Sequence, residues 1–183
     1  MVVAGLLFLA FAYLAVGQAA ANRNGAQTAA DAAALAAALD TRDKLTDEWV
    51  KNVLDPTKWQ DIFDGVGVDF DGCARADQLA AQNDATNTEC GQLPGLPPGY
   101  RVVTMTNKTV GDSIVPGVEG KQSTESATAV IESLCEFELP GAGSGADVLP
   151  KLTCEDGQEW TLDPEDLTDL PGPEDLFDVH LAD

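Results

Sequence analysis

The sequence predicts an α+β protein: a long N-terminal α-helix, then a small disulfide-bonded antiparallel β-sheet domain with a short helix, then an acidic, mostly irregular C-terminal tail. Three observations predict it. The chain begins apolar, becomes Ala-rich and has no proline before Pro56; two later segments have strand patterns; and four cysteines bracket short segments. The expected divisions are a transmembrane segment at 1–22, a helical extension at 23–55, an exported domain at 56–155 and the tail at 156–183.

The composition argues against nucleic acid as a partner. The 183 residues include 10 Lys and Arg against 31 Asp and Glu, which gives a formal net charge of −21. Nucleic-acid binding needs a basic face that displaces counterions from phosphate, and this chain has no excess of cations to form one. The length favours one modest domain.

The first 22 residues carry no charged side chain. About 20 apolar residues suffice for a helix to span a 30 Å hydrocarbon core. A cleaved secretory signal peptide is the alternative, because Ala19, Ala20 and Ala21 satisfy the small-x-small rule, but such peptides carry Lys or Arg before the apolar run. We therefore expect a retained single-pass helix in the cell membrane, with the C-terminal domain extracellular.

The helix is expected to continue beyond the membrane, from about Val2 to about Leu54, which would make it about 80 Å long at 1.5 Å per residue. Small residues allow another helix to approach closely. They also suit a helix that packs on its own domain, and both interpretations stay open. The candidate helix-packing positions are Gly25, Ala29, Ala32, Ala33 and Ala36.

The segment Ala15–Ala38, AVGQAAANRNGAQTAADAAALAAA, carries a recognisable pattern: an apolar helix, an Arg, a Gln and then Ala-Asp-Ala-Ala-Ala-Leu. It resembles the N-terminal region of TadE/TadG-like proteins, pseudopilin-like components of tight-adherence (Flp) pilus systems. Fainter similarity continues at 74–85, 100–110 and 123–133, and the terminal LFDVHLAD is similar to actinobacterial members. The motif positions are Arg23, Gln27, Ala30, Asp31, Ala34 and Leu35.

This resemblance implies a structural or assembly role as a minor, pseudopilin-like component of a pilus. The implied partners are other pilus or pseudopilin subunits and the membrane assembly machinery, together with the lipid bilayer through the N-terminal helix. A secreted or membrane-tethered module that binds a ligand or protein, without a pilus role, is the alternative.

Periodicity predicts the elements that follow the long helix. Helical spacing places Trp49, Val50, Val53 and Leu54 in the core, and Trp59, Ile62 and Phe63 form one further amphipathic turn. The remaining expectations are a strand at Val66, Val68 and Phe70, a short helix within 74–85, a loop at 93–99, an antiparallel pair at 100–106 and 126–139, and a hairpin around Gly157.

The four cysteines lack the C-x-x-C spacing of zinc and redox sites. Three connectivities are possible, and local pairing of Cys73 with Cys90 and of Cys135 with Cys154 is favoured because each pair closes a short loop. Four buried free thiols are the alternative. Disulfides would indicate an exported location.

Acidic residues accumulate toward the end: residues 122–183 hold 16 of them and one basic residue, Lys151. One interpretation is a solvated, loosely attached tail. The other is an extended peptide that docks on a partner or on the domain itself through Leu167, Leu170, Leu176 and Phe177.

Catalytic residues are scarce. The only histidine, His180, lies three residues before the end, so no Ser-His-Asp or Cys-His arrangement is evident, and we do not expect an enzyme; a hydrolase is the least favoured possibility. Asp61, Asp64, Asp69 and Asp71 do not form a calcium loop, because Cys73 stands where an oxygen ligand is needed. No metal or cofactor is predicted.

Overall fold

One continuous helix dominates the computed structural model, which describes residues 2–68, 71–111, 120–139, 149–155 and 157–182. Helix α1 spans Val2–Lys51, 50 residues, so it is about 75 Å long at 1.5 Å per residue. Its length is close to the prediction, because alanine favours the helix and no proline interrupts it before Pro56.

The two halves of α1 have different surroundings. Most described side chains before Ala26 are exposed, including Leu6, Phe8 and Leu14. From Ala26 onward, one face of the helix is buried against the rest of the chain. The first half therefore extends out of the domain, and the second half belongs to its core.

Short elements complete the chain. A 3₁₀ turn at Pro56–Lys58 leads into α2, and the helices and strands that follow are regular but brief. They are α2 Trp59–Phe63, α3 Cys73–Gln82, β1 Ala85–Gln92, β2 Gly99–Thr106, β3 Thr124–Ser133, β4 Cys135–Phe137, β5 Leu152–Cys154, β6 Glu159–Trp160, α4 Pro173–Leu176 and β7 Phe177–Leu181.

Two antiparallel sheets organise the strands. The larger sheet has the order β1-β2-β3-β7, with Thr106 opposite Ala85 and Val102 opposite Ala127. The second half of α1 lies against β2, β3 and β7, while α3 packs on both α1 and β1. The smaller sheet, β4-β5-β6, contains the hairpin predicted around Gly157.

An aromatic cluster fills the core at the far end of α1. Trp59 makes edge-to-face contacts with Trp49 and with Phe137. Phe63 makes the same kind of contact with Phe137 and with Phe177, and the ring centroids of all four pairs are 5.2–5.8 Å apart. Such pairs add about 0.5–1.5 kcal/mol each beyond their buried area.

Two predicted core residues lie outside that cluster. Val50 is 40% exposed and Leu54 is 60% exposed. Val50 directly follows the buried Trp49, so it lies on a different side of the helix, whereas Leu54 lies beyond α1, which ends at Lys51.

The strand predicted from Val66 to Phe70 is wrong over its described part. Residues 64–67 form a turn, Gly65 and Gly67 adopt φ of 70° and 78°, and Val66 is exposed. Glycine tolerates this left-handed conformation. The alternation of apolar residues with Gly67, which suggested a strand, therefore belongs to a turn. Asp69 and Phe70 lie outside the described residues.

The predicted strand 126–139 is interrupted. It divides into β3 and β4 at Leu134, whose N–H donates to the carbonyl of Leu176 instead of continuing the ladder. The pairing of its first part with β2 is antiparallel, as predicted. The Gly-rich segment 141–147 lies outside the described residues.

The acidic tail docks on the domain itself. Leu176 and Phe177 are fully buried, Leu167 and Leu170 pack partly against the core, and β7 pairs with β3 from Ser133–Phe177 to Ala129–Leu181. The loosely attached interpretation is therefore wrong for these residues. Residues 161–172 between the small sheet and α4 are mostly irregular, apart from a bridge between Asp163 and Asp166.

Candidate functional site: the outer face of the long helix

Both predicted disulfides are present. Cys73–Cys90 ties the start of α3 to β1, and Cys135–Cys154 joins directly paired residues of β4 and β5. Cys73–Cys90 braces α3 against the larger sheet, on which α1 packs, whereas Cys135–Cys154 cross-links the smaller sheet.

The small residues of α1 mostly serve its own domain. Ala29 and Ala33 are fully buried, and Ala36 is 8% exposed. The approach of α3 shows why small residues are needed: a Cβ on Gly72 would lie 2.5 Å from the carbonyl oxygen of Ala37.

The assembly face predicted from these positions is therefore corrected. Ala29 and Ala33 are unavailable to a partner helix because the chain's own sheet and helices cover this side of α1. Gly25 is exposed and Ala32 is half-buried. An assembly role for these two stays a prediction.

A groove runs between α1 and α3 on the side away from the sheet. Its floor is apolar, and its volume is about 660 Å³. Charged and polar side chains of both signs form its rim. The floor is Ala32, Leu35, Ala36, Leu39 and Leu79, and the rim is Asp40, Asp43, Arg75 and Gln78.

One rim carboxylate is engaged by a lysine. Lys44 Nζ lies 2.7 Å from Oδ2 of Asp40, one helical turn away. The hydrogen bond between them raises the pKa of the Lys44 ammonium above its ordinary value. A lysine ammonium is charged at neutral pH even without this change, so its pairing with Asp40 makes this part of the rim locally neutral.

The groove continues a stripe along α1 that reaches into the exposed apolar half. Residues alternately three and four positions apart share one face of a helix. We call this set the outer stripe, and every member is exposed or half-buried. The outer stripe is Leu7, Phe11, Leu14, Gln18, Ala21, Gly25, Thr28, Ala32, Leu35 and Leu39.

Leu35 is the one motif residue within this stripe, and the other motif residues lie beside it on α1. Arg23 Nε pairs with Glu125 at 2.6 Å, and Gln27 donates to Asp31 at 2.7 Å within the helix. Ala30 and Ala34 are fully buried. Leu35 packs partly against the core. None of these contacts forms a catalytic arrangement.

Polar contacts that the sequence analysis missed fix the helix where it leaves the domain. Asn22 donates to the carbonyl of Lys108 at 3.0 Å and accepts from the Thr106 hydroxyl at 2.9 Å. The buried Thr104 hydroxyl donates to the carbonyl of Ala26 at 2.9 Å. The sequence of β2 could have indicated these contacts. Its residues alternate between two faces, so Thr104 and Thr106 share the buried face with Tyr100 and Val102.

A second buried hydroxyl joins three elements. The Tyr100 hydroxyl accepts hydrogen bonds from the Thr41 hydroxyl at 3.0 Å and from the Gly72 N–H at 3.2 Å. These contacts connect β2, α1 and the start of α3 beneath the groove. The groove's two walls are therefore held at a fixed separation.

Within the described residues, no group of three His, Cys, Asp or Glu could hold a metal ion. His180 Nδ1 lies 2.7 Å from Asp178 at the exposed surface of β7.

Comparison with known proteins bears on the N-terminal part. Residues 1–40 match the family model described as putative Flp pilus-assembly TadE/G-like, which confirms the resemblance over that segment. The comparisons with curated proteins and with solved structures gave no match. In the described chain, one helix is long and apolar enough to cross a membrane, and its apolar window is unburied.

Proposed function

We propose that this protein is a minor, pseudopilin-like structural or assembly component of a Flp-type pilus, anchored in the cell membrane with its domain outside the cell. One observation carries the proposal. The family match at 1–40 coincides with the part of α1 that holds the entire outer stripe, from the exposed apolar half to the groove.

The exposed half of α1 suits lipid. Leu6, Phe8, Leu9 and Phe11 are each more than half exposed. Burying such a side chain away from water is worth roughly 1.5–3 kcal/mol, so a bilayer would stabilise this segment strongly. The 20 residues Val2–Ala21 match the thickness of a hydrocarbon core.

The outer stripe suits another helix. Its membrane half combines large apolar side chains with Ala21, and Gly25 follows just beyond the membrane boundary; such small residues let helices approach and gain packing contacts. Beyond the membrane, the apolar floor of the groove and its mixed-charge rim fit the amphipathic extension of a second subunit's helix. A neighbouring pilus or pseudopilin subunit would then bind along one continuous line.

We assign the protein no catalytic role. The alternative, a secreted or membrane-tethered binding module, would use the domain without the outer stripe. Variants of the stripe therefore separate the two functions.

The test changes the outer stripe without changing the core. A Cβ on Gly25 would meet no atom within 4 Å, so Gly25→Leu should leave the fold intact while blocking close approach of a helix. Leu39→Glu places a charge in the groove floor. We expect each variant to lower filament yield and recovery of pilus components with the solubilised protein.

Glu138→Ala, exposed at the opposite end of the domain and outside the groove, is the control and should change little. If Gly25→Leu, Leu39→Glu and deletion of the whole gene all leave pilus formation and partner recovery unchanged, the proposed function is wrong and the binding module is favoured.

A further inference from the structure

The end of the domain from which α1 emerges forms a distinct surface. Asn22 contacts the carbonyl of Lys108, and the Val110 N–H donates to the carbonyl of Lys121 at 2.9 Å. The segments that follow β2 and precede β3 therefore meet beside the helix. We call the basal surface the set Arg23, Asp84, Lys108, Lys121 and Glu125.

The basal surface lies at the boundary of the uncharged segment. Arg23 is the first charged residue of the chain and directly follows the 22 uncharged residues. When that segment spans a bilayer, a residue at its end lies at the level of the lipid headgroups. The contact between Asn22 and Lys108 brings the basal surface to the same level.

Charge is distributed unevenly along the domain. The basal surface has three basic and two acidic residues, in a chain whose net charge is −21. At the opposite end, residues 51–68, 134–139, 149–155 and 157–176 contain three basic residues and 13 acidic ones. An anionic bilayer would repel the acidic end and tolerate only the basal one.

The basal cations are accessible. The Lys108 side chain is 77% exposed although it pairs with Asp84 at 2.8 Å, and the Arg23 side chain is 74% exposed although it pairs with Glu125. Exposed ion pairs contribute little to stability. The Lys108 ammonium, whose partner Asp84 is itself 73% exposed, can therefore exchange that carboxylate for a lipid phosphate at little cost.

We infer that the basal surface binds the phosphate groups of anionic lipids and holds the domain upright on the membrane. The inference rests on the proposed membrane anchor and adds a lipid contact to it. The hydrogen bonds of Asn22 and Thr104 attach the helix to β2, so headgroup binding would fix the direction in which the groove faces.

Amine footprinting of the full chain tests this inference with an internal control. The protein is reconstituted in vesicles of phosphatidylcholine alone or mixed with phosphatidylglycerol, treated with an uncharged acylating reagent, and mapped by mass spectrometry. We expect Lys108 and Lys121 to react several-fold more slowly in the anionic vesicles. Lys58 and Lys151, remote from the basal surface, should react equally in both, and high salt should remove the difference.

Equal reaction rates at Lys108 and Lys121 in both vesicles, with the chain still floating with the lipid, would overturn the headgroup contact and leave the anchor standing. Protection in phosphatidylcholine vesicles by inorganic phosphate alone would also overturn it, in favour of a free phosphate. Failure of the chain to float with either vesicle would overturn the anchor and, with it, this inference.

Discussion

Replacing Ala33 with leucine should destabilise the domain. Ala33 is fully buried in α1, on the side covered by the chain's own core, and Leu adds three carbon atoms there. Forcing extra carbon atoms into a packed core costs about 1–3 kcal/mol, since neighbouring side chains and backbone must shift. Had Ala33 been part of a free assembly face, the same change would leave stability unaltered.

The expected decrease in Tm for Ala33→Leu follows from the length of the chain. A loss of 1 kcal/mol lowers the Tm by about 2–4 °C for proteins of 150–250 residues, so Ala33→Leu should lower it by about 2–12 °C. Thermal unfolding of the full chain in detergent, with both disulfides oxidised, gives the measurement.

Thr28→Leu is the matched control for Ala33→Leu. Thr28 lies on the exposed side of the same helix, and leucine favours a helix more than threonine does. Its Tm should be unchanged or slightly higher. The assignment of the two faces of α1 would be refuted by an unchanged Tm for Ala33→Leu together with a clear loss for Thr28→Leu.

Three further changes test the support beneath the groove by thermal or denaturant unfolding. Gly72→Ala should lower the free energy of unfolding by about 1–3 kcal/mol, because the added Cβ would strike a carbonyl oxygen of α1. Gly91→Ala is the control: its Cβ would meet no atom, so the free energy of unfolding should change by no more than about 0.5 kcal/mol. Equal effects of the two substitutions would contradict the close contact at Gly72. Tyr100→Phe leaves two buried donors without their acceptor and should cost about 1–3 kcal/mol, and an unchanged stability would show that this hydroxyl is dispensable. The double variant Cys73→Ser, Cys90→Ser should lose about 3 kcal/mol, given the 17-residue separation of the pair, and non-reducing peptide mapping of the parent should recover the two cysteines in one linked pair.

The sequence predicted the long helix, the cysteine pairing and the β2–β3 pair because each depends on local composition or spacing. It did not separate the two faces of α1. Alanine occurs on both faces, as Ala32 and Ala33 show, so no periodicity marks which side is buried. Only the positions of the sheet and α3 decide that question.

The two edge strands were missed for related reasons. Strand β1, ATNTECGQ, is polar and mostly exposed, so it lacks the alternation of a half-buried strand. Strand β7 alternates, but acidic residues surround it in the sequence and indicate a solvated segment. Burial of Leu176 and Phe177 depends on partners far away in the chain, and composition does not reveal them.

Site-specific photo-cross-linking in cells that make the pilus tests the assembly role of the outer stripe most directly. A benzoylphenylalanine at Thr28 or at Leu39 should form an adduct with a pilus component. The same residue at Glu138, exposed at the opposite end of the domain, should not. Absence of adducts from both Thr28 and Leu39, in membranes where the protein is present and pili assemble, would contradict the assembly role.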